Sequence, residues 1–350
     1  MSATTESPRG TKLPSALPQR THDGARRQYI YLAVGLVVLF FLPFVLPESS
    51  QPVLVRTLIY GIMAVGWNLM SGYGGMFSFG HAAFFGVGAY TDAVLLTNFG
   101  ISPWIAMIIG AVFSAGVGVL IAYLCLRYKL AGSYFALATF AFAQMFLLLA
   151  QNLELVNRTE GINIPLLPED SWAMLQFGQD SFNYYWIPLL LLAAAVAVTI
   201  AFVYSRPGRY TQAIRDDPVA AESLGIPIMK YRLITVALSC AITSIAGSYY
   251  TQYYLFVGPE QAFSMHVSTD AIVPAVIGGV GTIWGPLIGA AVVGPLSELV
   301  AAVVRNPPPF LEFLQGVSGL DVAIYAVLLI VIVVFLPKGI YGTIRERLRK

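Results

Sequence analysis

Four ionisable side chains fall in or beside long apolar stretches: Asp92, Glu298, Asp270 at the edge of one stretch and His81 at the start of another. A charge inside lipid is costly and persists where function requires it, so a chain of such groups would mark a proton- or ion-coupled carrier. These four are scattered and form no relay, and each fits a residue near the headgroups or hydrogen-bonded inside a bundle. Catalytic constellations are missing as well. The sequence holds three His and two Cys, with no H-E-x-x-H and no G-x-S-x-G. Cys125 and Cys240 have no metal-ligand spacing, and no structural disulfide is expected of them. Asn157, Arg158 and Thr159 match a glycosylation sequon, which chance occurrence explains. A G-x-x-x-x-G-K-[ST] loop is also absent, so the chain is expected to bind no ATP of its own in that manner, no metal and no other cofactor. The reading is of a protein that is not an enzyme.

What stands out instead is backbone chemistry. GYGGMFSFGHAAFFGVGAY, Gly72 to Tyr90, and GGVGTIWGPLIGA, Gly278 to Ala290, each interrupt one apolar stretch and open the next. Irregular backbone at membrane depth is tolerated where protein or a water-filled cavity satisfies it, which points to a pathway. The pathway candidates are Gly72, Gly75, Ser78, His81, Tyr134, Gly278, Gly279, Gly281 and Gly285. Close helix packing explains the glycines equally well, since Gly281, Gly285 and Gly289 repeat every four residues. For Gly110, Ser114 and Gly118 packing is the better reading.

One polar segment between apolar stretches has a helix written into it: Arg206 to Arg232. Asp217 suits an N-cap, and Pro218 suits the first helical position, where its missing N–H costs nothing. Gly225 supplies a left-handed stop with Pro227 just beyond. A helix of about two turns is too short to be stable alone in water, so contact must order it. Ala220 and Ala221 permit close approach of a partner, while Arg215, Asp216 and Glu222 can fix register by charge.

The elements that carry these features are membrane spans. Hydrophobic residues make up 57% of the 350 and charged ones 11%, with mean hydropathy +0.72, far from a soluble domain. A membrane-spanning helix needs about 20 apolar residues, and strand alternation is absent. The expected fold is an all-α integral membrane protein of about ten transmembrane helices, near 29–47, 53–70, 79–97, 104–125, 130–151, 184–204, 233–255, 268–284, 285–304 and 321–337. Short or broken helices are expected around the two Gly-rich motifs.

Residues 1–28 read as a disordered, basic cytoplasmic tail, 29–340 as the membrane domain and 341–350 as a second basic cytoplasmic tail. Of the 20 Lys and Arg, 17 fall on one side of this plan, and only Arg56, Arg158 and Arg305 on the other. That asymmetry places both termini in the cytoplasm and requires an even number of crossings. Two helices rather than one must then fill 268–304. The loop 152–183 falls outside and the loop 205–232 inside.

Five stretches, SGYGGMFSFGHAAFFGVGAYTDAVL, LAGSYFALATFAFAQ, AIRDDPVAAESLGIPIMKYRL, AGSYYTQYYLFVGPEQAFS and IGGVGTIWGPLIGAAVV, resemble in order and spacing the permease subunits of branched-chain amino acid ABC transporters of the LivM type. The resemblance runs from about residue 53 to 340. It implies a bacterial inner-membrane permease that forms half of a translocation pathway. Its implied partners are a second related permease, two ABC ATPase subunits that bind the ATP, a periplasmic substrate-binding protein and the surrounding lipid, with no nucleic acid. It further implies that Ala213 to Gly225 enters a cleft of the ATPase, with Ala221 and Gly225 at the small-residue positions. NRTEGINIP and the pair Asp270 and Pro274 depart from the family pattern, and family members also move urea and amides. Urea or amides are therefore the alternative solutes. An ion-coupled secondary carrier and a pathway-free membrane scaffold are the rival classes.

Overall fold

The computed structural model describes residues 20–167, 169–178, 181–305, 320–336 and 339–347. Helix α1 spans Arg20–Val45, so the expected tail boundary at residue 28 falls inside a helix; residues 1–19 lie outside the described set. Helix α2, Gln51–Trp67, has Pro52 in its first turn and runs without interruption into a π-helical turn at Asn68–Tyr73. An irregular stretch then leads to α3, His81–Phe99, which ends on Gly100 in the left-handed region. Helices α4, Pro103–Arg127, α5, Ser133–Asn152, and α6, Asn183–Tyr204, follow. Two short helices, α7, Arg206–Asp216, and α8, Pro218–Ser223, precede the long α9, Ile228–Tyr254. The chain closes with α10, Pro259–Phe263, α11, Met265–Gly278, α12, Gly285–Arg305, α13, Leu320–Phe335, and α14, Gly339–Arg347.

Seven of the described helices are long and apolar enough to cross a membrane: α1, α2 with its π turn, α4, α5, α6, α9 and α12. Three of the ten expected spans correspond to other helices. Helix α3 has 19 residues, α13 has 16 and α11 only 14. At about 1.5 Å per residue α11 is roughly 21 Å long, short of a 30 Å hydrocarbon layer. The region 268–304 divides into two helices, with the turn at Gly279–Trp284. The loop 305–320 lies almost wholly outside the described residues, as do Lys338 and 348–350.

Small residues set the centre of the bundle. A side chain at Gly88 would overlap the Ser244 carbonyl and one at Gly247 the Phe85 carbonyl, so α3 and α9 cross backbone to backbone. Ser248 Oγ donates to the Gly88 carbonyl at 3.1 Å across that crossing. Helix α4 joins through Ser114, whose Oγ donates to the Cys240 carbonyl at 3.2 Å, while Gly118 lies against the Cys240 thiol. The stripe Gly110, Ser114 and Gly118 therefore serves packing. Around this centre Ile59, Ile62, Trp67, Ile200 and Tyr249 are fully buried.

The segment 152–183 is tied to one end of the bundle. Its strand β1, Ile162–Asn163, pairs antiparallel with β2, Phe256–Val257, just past α9. Trp104 Nε1 donates to the Trp172 carbonyl at 2.9 Å. Helices α7 and α8 sit at the other end of α9.

Candidate functional site

The segment 205–228 is built from local capping. Ser205 Oγ accepts from the Gly208 N–H at 3.3 Å and opens α7, with Pro207 in its first turn. Asp217 Oδ1 accepts from the Val219 and Ala220 N–H groups at 2.9 and 3.0 Å and opens α8. The end of α8 is a Schellman motif: Gly225 N–H donates to the Glu222 carbonyl at 2.8 Å and Ile226 N–H to the Ala221 carbonyl at 3.1 Å. Gly225 has φ +78°, a conformation that costs a side-chain-bearing residue most.

The bundle holds α7 firmly and leaves the outer face of α8 bare. Ile214 is buried, the Thr211 and Thr235 hydroxyls lie 3.0 Å apart, and the Tyr210 and Tyr231 rings sit 4.9 Å apart. On α8, Ala221 is only 3% exposed and turns inward, so its small side chain serves close approach within the chain. The outward surface instead carries Val219, 72% exposed, and Leu224, 81% exposed, beside Ala220 and Glu222. Val219 and Leu224 were not among the residues singled out from the sequence.

Arg215 connects this segment to both Gly-rich motifs. Its Nη1 donates to the Gly72 carbonyl at 3.0 Å, while Nε and Nη2 donate to Asp216 Oδ1 at 3.0 and 2.8 Å. Its aliphatic stem lies over Gly75, where a Cβ would come within 2.7 Å of Arg215 Cγ. Asn68, in the π turn, donates from Nδ2 to the Thr282 carbonyl at 2.8 Å, and its Oδ1 accepts from the Gly281 N–H at 2.7 Å. Gly72 has no room for a side chain beside Asn68 and the Gly281 N–H. The helix ends at Tyr73, which leaves its last-turn carbonyls without an intrahelical partner, and one of them is the Gly72 oxygen that Arg215 holds. Gly278, Gly279 and Gly285 make the neighbouring turn so tight that a side chain at Gly278 would strike the Gly285 carbonyl, and one at Gly285 the Gly279 carbonyl. Gly339, at the start of α14, rests on Gly279. Gly72, Gly75, Gly278, Gly279, Gly281, Gly285 and Arg215 therefore meet in one junction, and Asn68 is the member that sequence reasoning missed.

The other candidates lie elsewhere. His81 is fully buried, with Nδ1 3.2 Å from Ser78 Oγ and Nε2 3.1 Å from Ser239 Oγ. Ser239 donates on to the Gly66 carbonyl at 2.6 Å, and Trp67 Nε1 donates to the Ser78 carbonyl at 2.8 Å. With both ring nitrogens engaged, His81 and Ser78 brace α2, α3 and α9. Tyr134 stands 71% exposed at the start of α5, apart from the junction. Arg56 pairs with Glu298 at 2.8 Å, Asp270 hydrogen-bonds to Tyr60, and buried Asp92 accepts from Gln252. Arg56 and Tyr60 lie one turn apart on α2, so the first two contacts form one cluster with Glu298 and Asp270, and the Asp92 contact stands apart between α3 and α9. No group of three His, Cys, Asp or Glu suited to a metal occurs among the described residues.

Helices of this length and apolarity, packed through small residues and leaving a capped polar segment at one end, define a multi-pass α-helical membrane protein. The chain belongs to the family described as branched-chain amino acid transport system / permease component, which matches residues 51–336. It is thus a permease component of the inner membrane and not an enzyme. It is 26% identical over 351 residues to the high-affinity branched-chain amino acid transport system permease protein LivM of Escherichia coli K12, covering 93% of this chain and 78% of that one. To the LivH permease protein of the same strain it is 27% identical over 297 residues, covering 81% and 91%. A probable branched-chain amino acid transport permease protein LivM of Methanocaldococcus jannaschii is 23% identical over 321 residues, covering 81% and 90%.

Proposed function

We propose that this chain is the transmembrane subunit of an ATP-driven importer for branched-chain or other apolar amino acids, and that α8 is where separate ATPase subunits engage it. In this reading the chain crosses the membrane ten times with both termini in the cytoplasm. The loop 205–232 faces the cytoplasm, and the segment 152–183 faces an exported binding protein. A second, related permease completes the pathway.

The observation that carries the proposal is the continuity from α8 to the glycine junction. Val219 and Leu224 form an unpartnered apolar surface on a capped helix, and α7 links that helix to Arg215, which grips the Gly72 carbonyl. Motion of the ATPases transmitted to α8 would move α7 as a rigid lever. The levered end pulls on the π turn of α2 and, through Asn68, on the Gly281 turn between α11 and α12. Two backbone turns that hold each other by hydrogen bonds have discrete arrangements, as alternating access requires. Arg215, Asp216 and Asp217 thus shape and orient the docking helix, and Ala220, Glu222, Val219 and Leu224 meet the partner. Ala221 and Gly225 give the helix its inner face and its end.

The test is uptake of radiolabelled leucine into proteoliposomes holding this chain, a second permease and two ATPases encoded beside it, with the matching binding protein outside. Uptake is expected to require enclosed ATP. Uptake by this chain alone on an imposed ion gradient would contradict the reading, and urea or amide uptake in leucine's place would correct the solute.

A further inference from the structure

Most polar side chains along the crossing of α3 and α9 close their hydrogen bonds on the opposite backbone. Ser248 Oγ donates to the Gly88 carbonyl at 3.1 Å and Thr251 Oγ1 to the Ala89 carbonyl at 3.3 Å. The next pair along behaves differently. Asp92 on α3 and Gln252 on α9 are both fully buried, and Gln252 Nε2 donates to Asp92 Oδ2. The two oxygens left over, Asp92 Oδ1 and Gln252 Oε1, have no partner. While the aspartate is ionised both are acceptors, so two groups already in contact leave each other half satisfied.

An ionised carboxylate at this place also has nothing to balance it. The elements packed against α3 are α4, α5, α9, α10, α11, the two short strands and the turn at 154–156. Helix α5 and the strands hold no Lys, Arg or His. Arg127 closes α4 at the end away from its connection to α3, and Lys230 and Arg232 lie in the first turns of α9, about 30 Å from Gln252. Glu260 of α10 accepts from Gln151 at 3.0 Å, His266 of α11 is exposed, and Asp270 hydrogen-bonds to Tyr60. Arg158 is exposed and spent on Glu154. No charged group among the described residues acts on Asp92. The cluster at this end of α3 is apolar instead, with Ala89, Ala93, Leu147, Val257 and Phe263. A buried carboxylate without a cation is among the costliest arrangements in a protein, whereas a neutral carboxylic acid avoids that cost and gains a donor.

We propose that Asp92 is held as a neutral carboxylic acid whose proton, on Oδ1, is donated to Gln252 Oε1. With Gln252 Nε2 donating to Oδ2, acid and amide then close a ring of two hydrogen bonds, and one proton satisfies both orphaned oxygens. The ring ties α3 to α9 at the end opposite α8. Helix α9 runs 27 residues from Ile228, just past α8, to Tyr254, so Asp92 is a positioning residue that fixes the far end of the helix whose near end follows the capped segment. Loss of the proton would remove one bond and set a charge against Gln252 Oε1 in an apolar cluster, so the tie holds only while the proton is bound. None of this depends on the importer reading.

Infrared spectroscopy of the purified full chain in detergent tests the proposal without any transport measurement. At neutral pH the wild type is expected to show the carbonyl stretch of a protonated carboxyl that is missing from Asp92→Asn and moves to higher frequency in Gln252→Leu, where the acid has lost its acceptor. An asparagine offers an N–H where the acid offers its O–H. Asp92→Asn is therefore expected to melt within about 2 °C of the wild type, and Asp92→Ala and Gln252→Leu several degrees lower. If Asp92→Asn instead removes an ionised-carboxylate band, Asp92 is charged and the proposal falls. An Asp92→Asn chain as unstable as Asp92→Ala would overturn it equally, because the ring would then not be what joins the helices.

Discussion

Asn68 uses both ends of its side-chain amide on backbone across the glycine junction, joining α2 to a turn 213 residues away. The Asn68→Leu substitution keeps approximate volume and leaves the Gly281 N–H and Thr282 carbonyl unpaired. Each buried orphan costs about 1–3 kcal/mol, so thermal unfolding of the purified chain in detergent is expected to shift down by several degrees. Arg215→Ala leaves α8 and its exposed apolar residues in place but frees the Gly72 carbonyl. Co-purification with the ATPases is expected to persist while leucine uptake falls, and equal loss of both would show that Arg215 itself belongs to the docking surface. At this scale the sequence was informative where chemistry is local. Asp217 and Gly225 are caps whose partners lie within three residues, and the structure bears both out as caps. Asn68 sits in an apolar run and meets its partners through tertiary packing, so no spacing in the sequence marks it.

Among the elements, α8 shows how an amphipathic two-turn helix divides its roles. Ala221 is small because its own bundle lies against it, and Leu224 is exposed because no part of the chain covers it. An Ala221→Arg substitution is therefore expected to disturb the chain itself, measured as lost yield of folded permease. Leu224→Glu is expected to leave folding intact and weaken ATPase association by about 2 kcal/mol or more, roughly 30-fold, as removal of a central apolar anchor does. A binding measurement in which the two variants behave alike would remove the distinction between inner and outer faces. Helix α7 escaped the sequence reading because its composition is polar, although Gly208, Thr211 and Ile214 recur at helical spacing on the face it buries. The short α11 was hard to bound for another reason: the glycines that end it are also small residues of helix contact, and a sequence carries both meanings in the same letters.

For the molecule as a whole, the two ends of the bundle are chemically unlike. The 152–183 segment, β1 and β2 gather at one end, and α7 and α8 at the other. In the proposed orientation, which the asymmetry of Lys and Arg favours, the α7–α8 end faces the cytoplasm, with Arg56 and Arg158 opposite. Impermeant thiol labelling of right-side-out vesicles is expected to reach a Glu160→Cys variant and to reach Ser223→Cys only after permeabilisation. Reversed labelling would invert the chain and detach α8 from any cytoplasmic motor. The membrane character of the fold was plain in composition. The number of crossings was less so, because α3, α11 and α13 are shorter or more polar than the seven long apolar helices and depend on neighbours for their place.

The account depends above all on a motor protein seated against α8. A Leu224→Cys variant in the complete importer, treated with a short bifunctional thiol reagent, measures that directly. The expected result is a covalent product containing this chain and the ATPase subunit, formed with high yield and lost when the thiol is moved to Tyr134. A complex that takes up leucine with ATP yet gives no such product, with position 224 open to a bulky aqueous label throughout, would contradict it.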